Sequence, residues 1–149
     1  MAMKLPLRWR SARGAELIEF AIVVPLLVLL LAGIFDFGMM FRSYEAVTNA
    51  AREGARVGVL PGYADADVRE RVDAYMAVSG LTGDYTVTVD TMAIETGAGT
   101  FNARSVAVNY TYQFAILGTV GAAFGGDFTT IPLRAVSVMR TEAQAAGGS

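Results

Sequence analysis

The chain has 149 residues, of which 54% are apolar and 17% charged, and its formal net charge is −2. This length allows one modest domain and an anchor. Cys and His are absent, which excludes disulfides, Ser-His-Asp or Cys-His catalysis and the usual zinc sites. We predict that the chain is not an enzyme and needs no metal or cofactor, and no motif identifies a small-molecule substrate.

The first 14 residues form a basic leader that holds Lys4, Arg8, Arg10 and Arg13 and no acidic residue. After Gly14 the chain keeps 8 basic and 14 acidic side chains, a net charge of −6. Positively charged flanks of membrane helices stay in the cytoplasm. We therefore expect a single-pass protein of the inner membrane with a cytoplasmic N-terminus and an exported C-terminal part. The acidic exported part argues against nucleic acid as a partner.

The most apolar stretch runs from Phe20 to Phe41 and carries a single charge, Asp36. As a helix it would be roughly 33 Å long, close to the ~30 Å of a bilayer's hydrocarbon core. The apolar stripe then continues through "EAVTNAAREGARVGVL" until Pro61-Gly62 interrupts it. We predict one long helix from residue 15 to about residue 58, within a transmembrane and assembly segment at 15–61.

Residues 62–142 are predicted to form an exported α+β domain. "DADVRERVDAYMAVSG" predicts a helix with Asp65 as its N-cap and Gly80 at its C-terminal cap. Its apolar face contains Val68, Val72, Tyr75 and Met76.

Three segments then alternate with period two: "DYTVTVD", "RSVAVNYTYQFAI" and "IPLRAVSVMRTE". Gly-rich connections at 97–100 and 118–127 favour an antiparallel sheet, one face of which packs on the second helix. The apolar stripe of the middle strand, which includes Tyr110, Tyr112 and Phe114, is interpreted as core. The tail at 143–149 is predicted to be disordered.

The stretch "RGAELIEF" sets two carboxylates directly before the apolar run, where a charge is expensive. It resembles the type IV prepilin leader, in which a dedicated peptidase cuts after a Gly and the mature chain has Glu at its fifth position. Cleavage after Gly14 would make Ala15 the first residue and Glu19 the fifth. The following Phe20 is similar to the Flp/Tad branch, which typically has Glu-Phe or Glu-Tyr here.

The chemistry of this spacing supports an assembly role. Cleavage would free a cationic α-amine at Ala15, one helical turn from Glu19, and polar groups near hydrocarbon cost less when paired. If the amine belongs to a neighbouring subunit, the pair would fix the register between subunits. Two alternatives remain: an uncleaved signal anchor, or an ordinary signal peptide, for which "LLAGIFDFG" offers only a poor cleavage site.

Residues 13–60 resemble TadE-like proteins, the minor pilin-like components of the tight-adherence pilus. In that family an apolar helix with a mid-run Pro leads to an acidic-aromatic-Gly step and then to "NAAREGAR". Here these are Pro25, Asp36-Phe37-Gly38 and Asn49 to Arg56. Glu is commoner in the family at the place of Asp36.

Six residues are candidate contacts with partner helices; each also has a simpler interpretation. Pro25 is either a tolerated membrane proline or a point of local unwinding, and Asp36 is either an interfacial acid or paired with another subunit. The "NAAREGAR" run is either a solvated face or a site of close helix approach. The six are Pro25, Asp36, Arg52, Gly54, Arg56 and Gly58.

The resemblance implies a pilin-like α+β fold and a minor pilin-like subunit of the pilus, at the base of the fibre or within it. Its expected partners are the membrane, a prepilin peptidase and other pilin-like subunits. The alternative is an uncleaved, single-pass anchored binding module or enzyme, which would keep an intact N-terminus.

Overall fold

The computed structural model describes residues 12–97, 99–123, 125 and 129–141. Residues 1–11 of the leader and the predicted tail at 143–149 lie outside the described residues. The elements are, in order, α1 (Ala12–Gly58), α2 (Asp65–Val78), β1 (Tyr85–Thr96), β2 (Gly99–Gln113), α3 (Ile116–Ala123) and β3 (Thr130–Arg140). The predicted α+β class, with one long N-terminal helix and a small antiparallel sheet, is confirmed.

Helix α1 is continuous over 47 residues. From Phe20 to Phe35 it is apolar on all sides, whereas its second half carries small residues on one face and charges on the other. A helix of this length is roughly 70 Å long at 1.5 Å per residue. Because the bilayer core is only about 30 Å thick, the second half is free to pack against the rest of the chain.

The start of α2 differs from the prediction by one residue. Asp65 is the first helical residue and not the N-cap, which is Ala64 in an extended conformation. Ala has no side-chain acceptor, and the carboxylate of Asp67 instead accepts a 2.7 Å hydrogen bond from the Ala64 amide. This is the reciprocal half of a capping box, so the helix end is satisfied by the third residue.

The end of α2 is as predicted. Gly80 has φ +76°, a left-handed conformation that glycine adopts without steric cost. The amide of Leu81 donates to the carbonyl of Met76 at 3.0 Å, and that of Gly80 to the carbonyl of Ala77 at 3.0 Å. These two bonds form a Schellman motif, which turns the chain toward β1.

The three strands form an antiparallel sheet in the order β1-β2-β3. The first two are longer at their shared turn than predicted: Thr96 pairs with Gly99, so Gly99 and Thr100 belong to β2 and not to a connection. In the other direction, β2 ends at Gln113 rather than at Ile116.

The core lies between the inner face of the sheet and two helices, α1 and α2, not α2 alone as predicted. Three of the four predicted apolar residues of α2 are fully buried, and Tyr75 is half-buried. The buried cluster comprises Val47, Ala50, Ala51, Ala55, Val68, Val72, Met76, Val106, Val108 and Ala135. The second half of α1 is therefore part of the folded domain, and the membrane-length half projects from it.

The segment predicted as a Gly-rich connection contains a helix, α3. Helix α3 lies in the connection between β2 and β3. The two ends of this connection are joined by a 2.9 Å hydrogen bond from the amide of Phe114 to the carbonyl of Thr129. The N-terminus of α3 contacts Asp36 of α1, which lies 80 residues away in sequence.

Candidate functional site

The N-terminal half of α1 is a bare apolar helix. Between residues 14 and 31 every side chain is exposed except that of Val24, which is half-buried. Large apolar side chains such as Leu17 (69% exposed) and Phe20 (66% exposed) are not packed in the core of the folded domain. Within the described residues, α1 is the helix that is long and apolar enough to cross a membrane. Such a surface is stable in a bilayer or among other apolar helices, so it indicates single-pass anchoring.

The predicted processing and register residues lie on this bare helix. All four are exposed and lie on successive turns of one helix: Gly14, Ala15, Glu19 and Phe20. Among the described residues, Glu19 has neither a hydrogen bond nor an ion pair. Its carboxylate is therefore available to a group outside this chain.

Pro25 lies inside α1, and the helix continues through it without interruption. Its side chain is exposed. Proline removes one backbone donor, and neighbouring groups commonly compensate in membrane helices. Pro25 thus lies within the continuous bare helix, and a role in local unwinding stays a prediction.

Asp36 is fully buried, with 0% of its surface exposed. Its Oδ2 accepts hydrogen bonds from the amides of Ile116 at 3.0 Å and Leu117 at 2.7 Å. These are the first two amides of α3, which have no partner within their own helix. A carboxylate from α1 thus caps α3 at the end where the helix dipole is positive.

Aromatic side chains surround this cap. The hydroxyl of Tyr112 donates to the backbone carbonyl of Asp36 at 3.3 Å. The ring of Phe114 meets those of Phe37 and Tyr112 edge-to-face, with centroids 5.7 and 5.4 Å apart. Burial, followed by the negative charge of Asp36, raises the pKa of Tyr112, so this phenol stays protonated as a donor. We call Asp36, Tyr112, Phe114 and the start of α3 the Asp36 junction.

The Asp36 junction gives the acidic-aromatic-Gly step a role within the chain. The sequence suggested an interfacial acid or a pair with another subunit, whereas the buried carboxylate contacts the chain's own backbone. Its second oxygen, Oδ1, is buried without a partner among the described residues. No local signal reveals this, because the partner amides belong to a segment whose two glycines resemble a loop.

The small residues of "NAAREGAR" also face inward. Gly54 and Gly58 are buried, and a Cβ on Gly54 would lie 2.6 Å from Cγ2 of Val72. On Gly58 it would lie 3.3 Å from Cγ2 of Val68. The close helix approach suggested by the sequence is thus made between α1 and α2 of one chain.

The two arginines of this run are exposed. Arg56 donates to Glu53 at 3.0 Å, and Arg71 of α2 donates to the same oxygen at 3.0 Å. Hydrogen bonds from Arg56, and then from Arg71, lower the pKa of Glu53 below its ordinary value of 4.5. Arg52 has no ion pair among the described residues, so it remains available on the surface.

Replacing Glu53 with Gln should make a small, pH-dependent difference. A lowered folded-state pKa contributes stability above about pH 4.5, which is lost as the pH falls through the lower folded value. We expect the wild type to be about 0.5 kcal/mol more stable than Glu53→Gln at neutral pH, because exposed pairs contribute little. Denaturant unfolding of the full chain in detergent at neutral and acidic pH measures this. A gap that persists in acid, or an equal effect of Glu70→Gln, would contradict it.

A third ion pair, which sequence reasoning missed, joins β2 to α2. Arg104 donates through Nη2 to Asp65 and through Nη1 to Thr91 at 3.2 Å. Its Nε is buried without a partner among the described residues. The 39-residue separation of Arg104 and Asp65 explains why no local pattern indicates this pair.

Where the structure describes the chain, no three acidic side chains lie close enough together to hold a metal ion. The Asp36 junction has one carboxylate, and that group already accepts two amides. The candidate site is the exposed apolar part of α1, whose side chains suit contact with lipid or other apolar helices.

Comparisons with known proteins agree with the motifs of α1. No curated protein and no solved structure matches the chain. One family model does, over a segment that begins at Gly14 and ends at Arg56, the last residue of "NAAREGAR". It covers the bare helix, the acidic-aromatic-Gly step and the small residues that pack on α2. The matching model is that of TadE-like proteins, so residues 14–56 are similar to the TadE-like family.

Proposed function

We propose that this chain is a minor pilin-like subunit for assembly of the tight-adherence pilus, cut after Gly14 by a prepilin peptidase. The coarser role, a pilus-related protein with a pilin-like segment, rests on the family match at residues 14–56. In the proposal the leader stays in the cytoplasm, the helix spans the inner membrane and the folded domain is exported. The chain itself catalyses no reaction.

The observation that carries the proposal is the bare helix with Glu19 at its start. A membrane anchor needs only apolar length, and an acid beside the apolar run adds cost. After cleavage, Ala15 would present an α-amine one turn from Glu19. In a bundle of such helices, the Glu19 carboxylate of one subunit and the α-amine of the next would pair and set their stagger.

Replacing Glu19 with Gln should leave cleavage intact and block assembly. Removing one partner of a desolvated ion pair costs about 3–5 kcal/mol, so we expect surface pili to fall at least about tenfold. Pili sheared from cells that carry the variant, together with the mass of the membrane-bound chain, provide the two readouts.

Glu16→Gln is the matched control, since Glu16 is equally exposed and three residues away on the same helix. It should assemble as the wild type does. Normal pili with Glu19→Gln would exclude the register role and favour an anchored binding module, for which the acid is only interfacial.

A further inference from the structure

The segment between β2 and β3 is almost free of charge. Residues 115–128 read "AILGTVGAAFGGDF", in which Asp127 is the one charged side chain. We call this segment the apolar excursion. Its described helix, α3, exposes Ile116 by 38% and has no acidic or basic residue. A short helix of this composition on a water-facing surface would leave apolar area uncovered.

Helix α3 lies beside the membrane-length part of α1. Helix α3 contacts α1, and Leu117 lines the same groove as Leu29, Gly33 and Ile34. Those three residues belong to the apolar stretch at 20–41, before Asp36. Ala32, on the face of α1 that carries Asp36, is only 8% exposed, whereas Leu31 and Ile34 are more than 60% exposed. The same groove also contains Phe37 and Phe41, so Leu117 of α3 lies against the apolar stretch on both sides of Asp36.

The first two amides of α3 and its polar side chain have hydrogen-bond partners, which suits a water-poor setting. In hydrocarbon each unsatisfied amide or carbonyl costs several kcal/mol. The Asp36 carboxylate accepts hydrogen bonds from the first two amides of α3. The hydroxyl of Thr119 donates to the carbonyl of Ala115 at 3.0 Å, which satisfies the polar side chain of α3 internally.

We propose that α3 is embedded in the bilayer beside α1, in the leaflet next to the folded domain. The partner of this surface is lipid, because the exposed side chains continue the apolar surface of α1 and carry no charge. The carboxylate of Asp36 fixes the embedded helix α3 to α1 through hydrogen bonds to the N-terminal amides of α3. The proposal rests on α1 crossing the membrane and does not depend on the pilus role.

The absence of Cys from the chain allows a direct test with single-cysteine variants. An environment-sensitive fluorophore would be attached at Ala122→Cys in the full chain, reconstituted in phosphatidylcholine vesicles that contain nitroxide-labelled lipid. Ile34→Cys, in the apolar stretch, and Thr88→Cys, an exposed residue of β1, are the lipid and water controls. We expect the probe at Ala122 to be quenched nearly as strongly as that at Ile34, and the probe at Thr88 to be unaffected.

Two results would overturn the proposal. A probe at Ala122 with water-like emission would place α3 above the membrane. Blue-shifted emission without quenching would mean that protein, such as a second copy of the chain, covers α3 instead of lipid. Ile116→Cys provides an independent position on the same helix if Ala122→Cys does not fold.

Discussion

Replacing Gly54 with Val should separate α1 from α2 and lower the free energy of unfolding of the folded domain by about 3 kcal/mol. The added Cβ would lie 2.6 Å from Cγ2 of Val72 and 3.2 Å from Cγ1 of Val106. Both valines are fully buried and, being β-branched, they cannot rotate away easily. Denaturant unfolding of the full chain in detergent measures the change.

Gly38→Val is the matched control, because a Cβ on Gly38 of the same helix meets nothing within 4 Å. Valine has a better helix propensity than glycine, so the control should be neutral or slightly stabilising. Equal effects of the two substitutions would mean that Gly54 acts through helix propensity and not through packing.

Replacing Asp36 with Ala should release α3 from α1 while the sheet stays folded. Two amides of α3 would lose their acceptor, and an unsatisfied buried donor costs about 1–3 kcal/mol. A loss of about 2 kcal/mol would raise exchange of the Ile116 and Leu117 amides roughly 30-fold. Hydrogen exchange of the full chain in detergent, resolved by residue, measures this opening.

Asp36→Asn separates capping from charge, because its amide oxygen can take the place of Oδ2 and accept both hydrogen bonds, but as a weaker, uncharged acceptor. We expect exchange at Ile116 and Leu117 to be intermediate in this variant. Amides of the central strand, such as that of Val108, should be unchanged in both. Unchanged exchange at α3 in Asp36→Ala would show that packing on α1, rather than the carboxylate, holds this helix.

The helices and strands that were predicted correctly have a local signal. Val68, Val72 and Met76 recur at helical spacing and are all fully buried on one face of α2. Gly80 follows that helix directly and adopts the left-handed conformation that a glycine cap requires. In these places the residues that determine the structure are neighbours in sequence.

The elements that were missed depend on distant residues. Helix α3 contains Gly118 and Gly121, which lower helix propensity and resemble a connection. It forms because Asp36 caps it and α1 covers one side, contacts that span about 80 residues. Gly54 and Gly58 were predicted as candidate contacts with helices of partner subunits. The sequence alone does not reveal that α2 of the same chain packs against them.

The bare helix could be predicted from composition alone, whereas the Asp36 junction could not. An acid within an apolar run indicates a polar partner, but the partner is a pair of backbone amides, which have no sequence signature. The assembly residues Gly14, Ala15 and Glu19 were predicted from the resemblance of "RGAELIEF" to the type IV prepilin leader. The structure places them together on the bare helix, and their role in assembly stays a prediction.

The intact mass of the chain purified from the membranes of its native host tests the central claim, and the comparison is between wild type, Gly14→Ala and Gly33→Ala. A Cβ on Gly33 meets nothing within 4 Å, so that variant controls for an added methyl group on the same helix. Prepilin processing predicts that the wild type and Gly33→Ala lack residues 1–14, whereas Gly14→Ala keeps them. A wild-type chain that retains its leader would contradict the account and leave α1 as an uncleaved anchor.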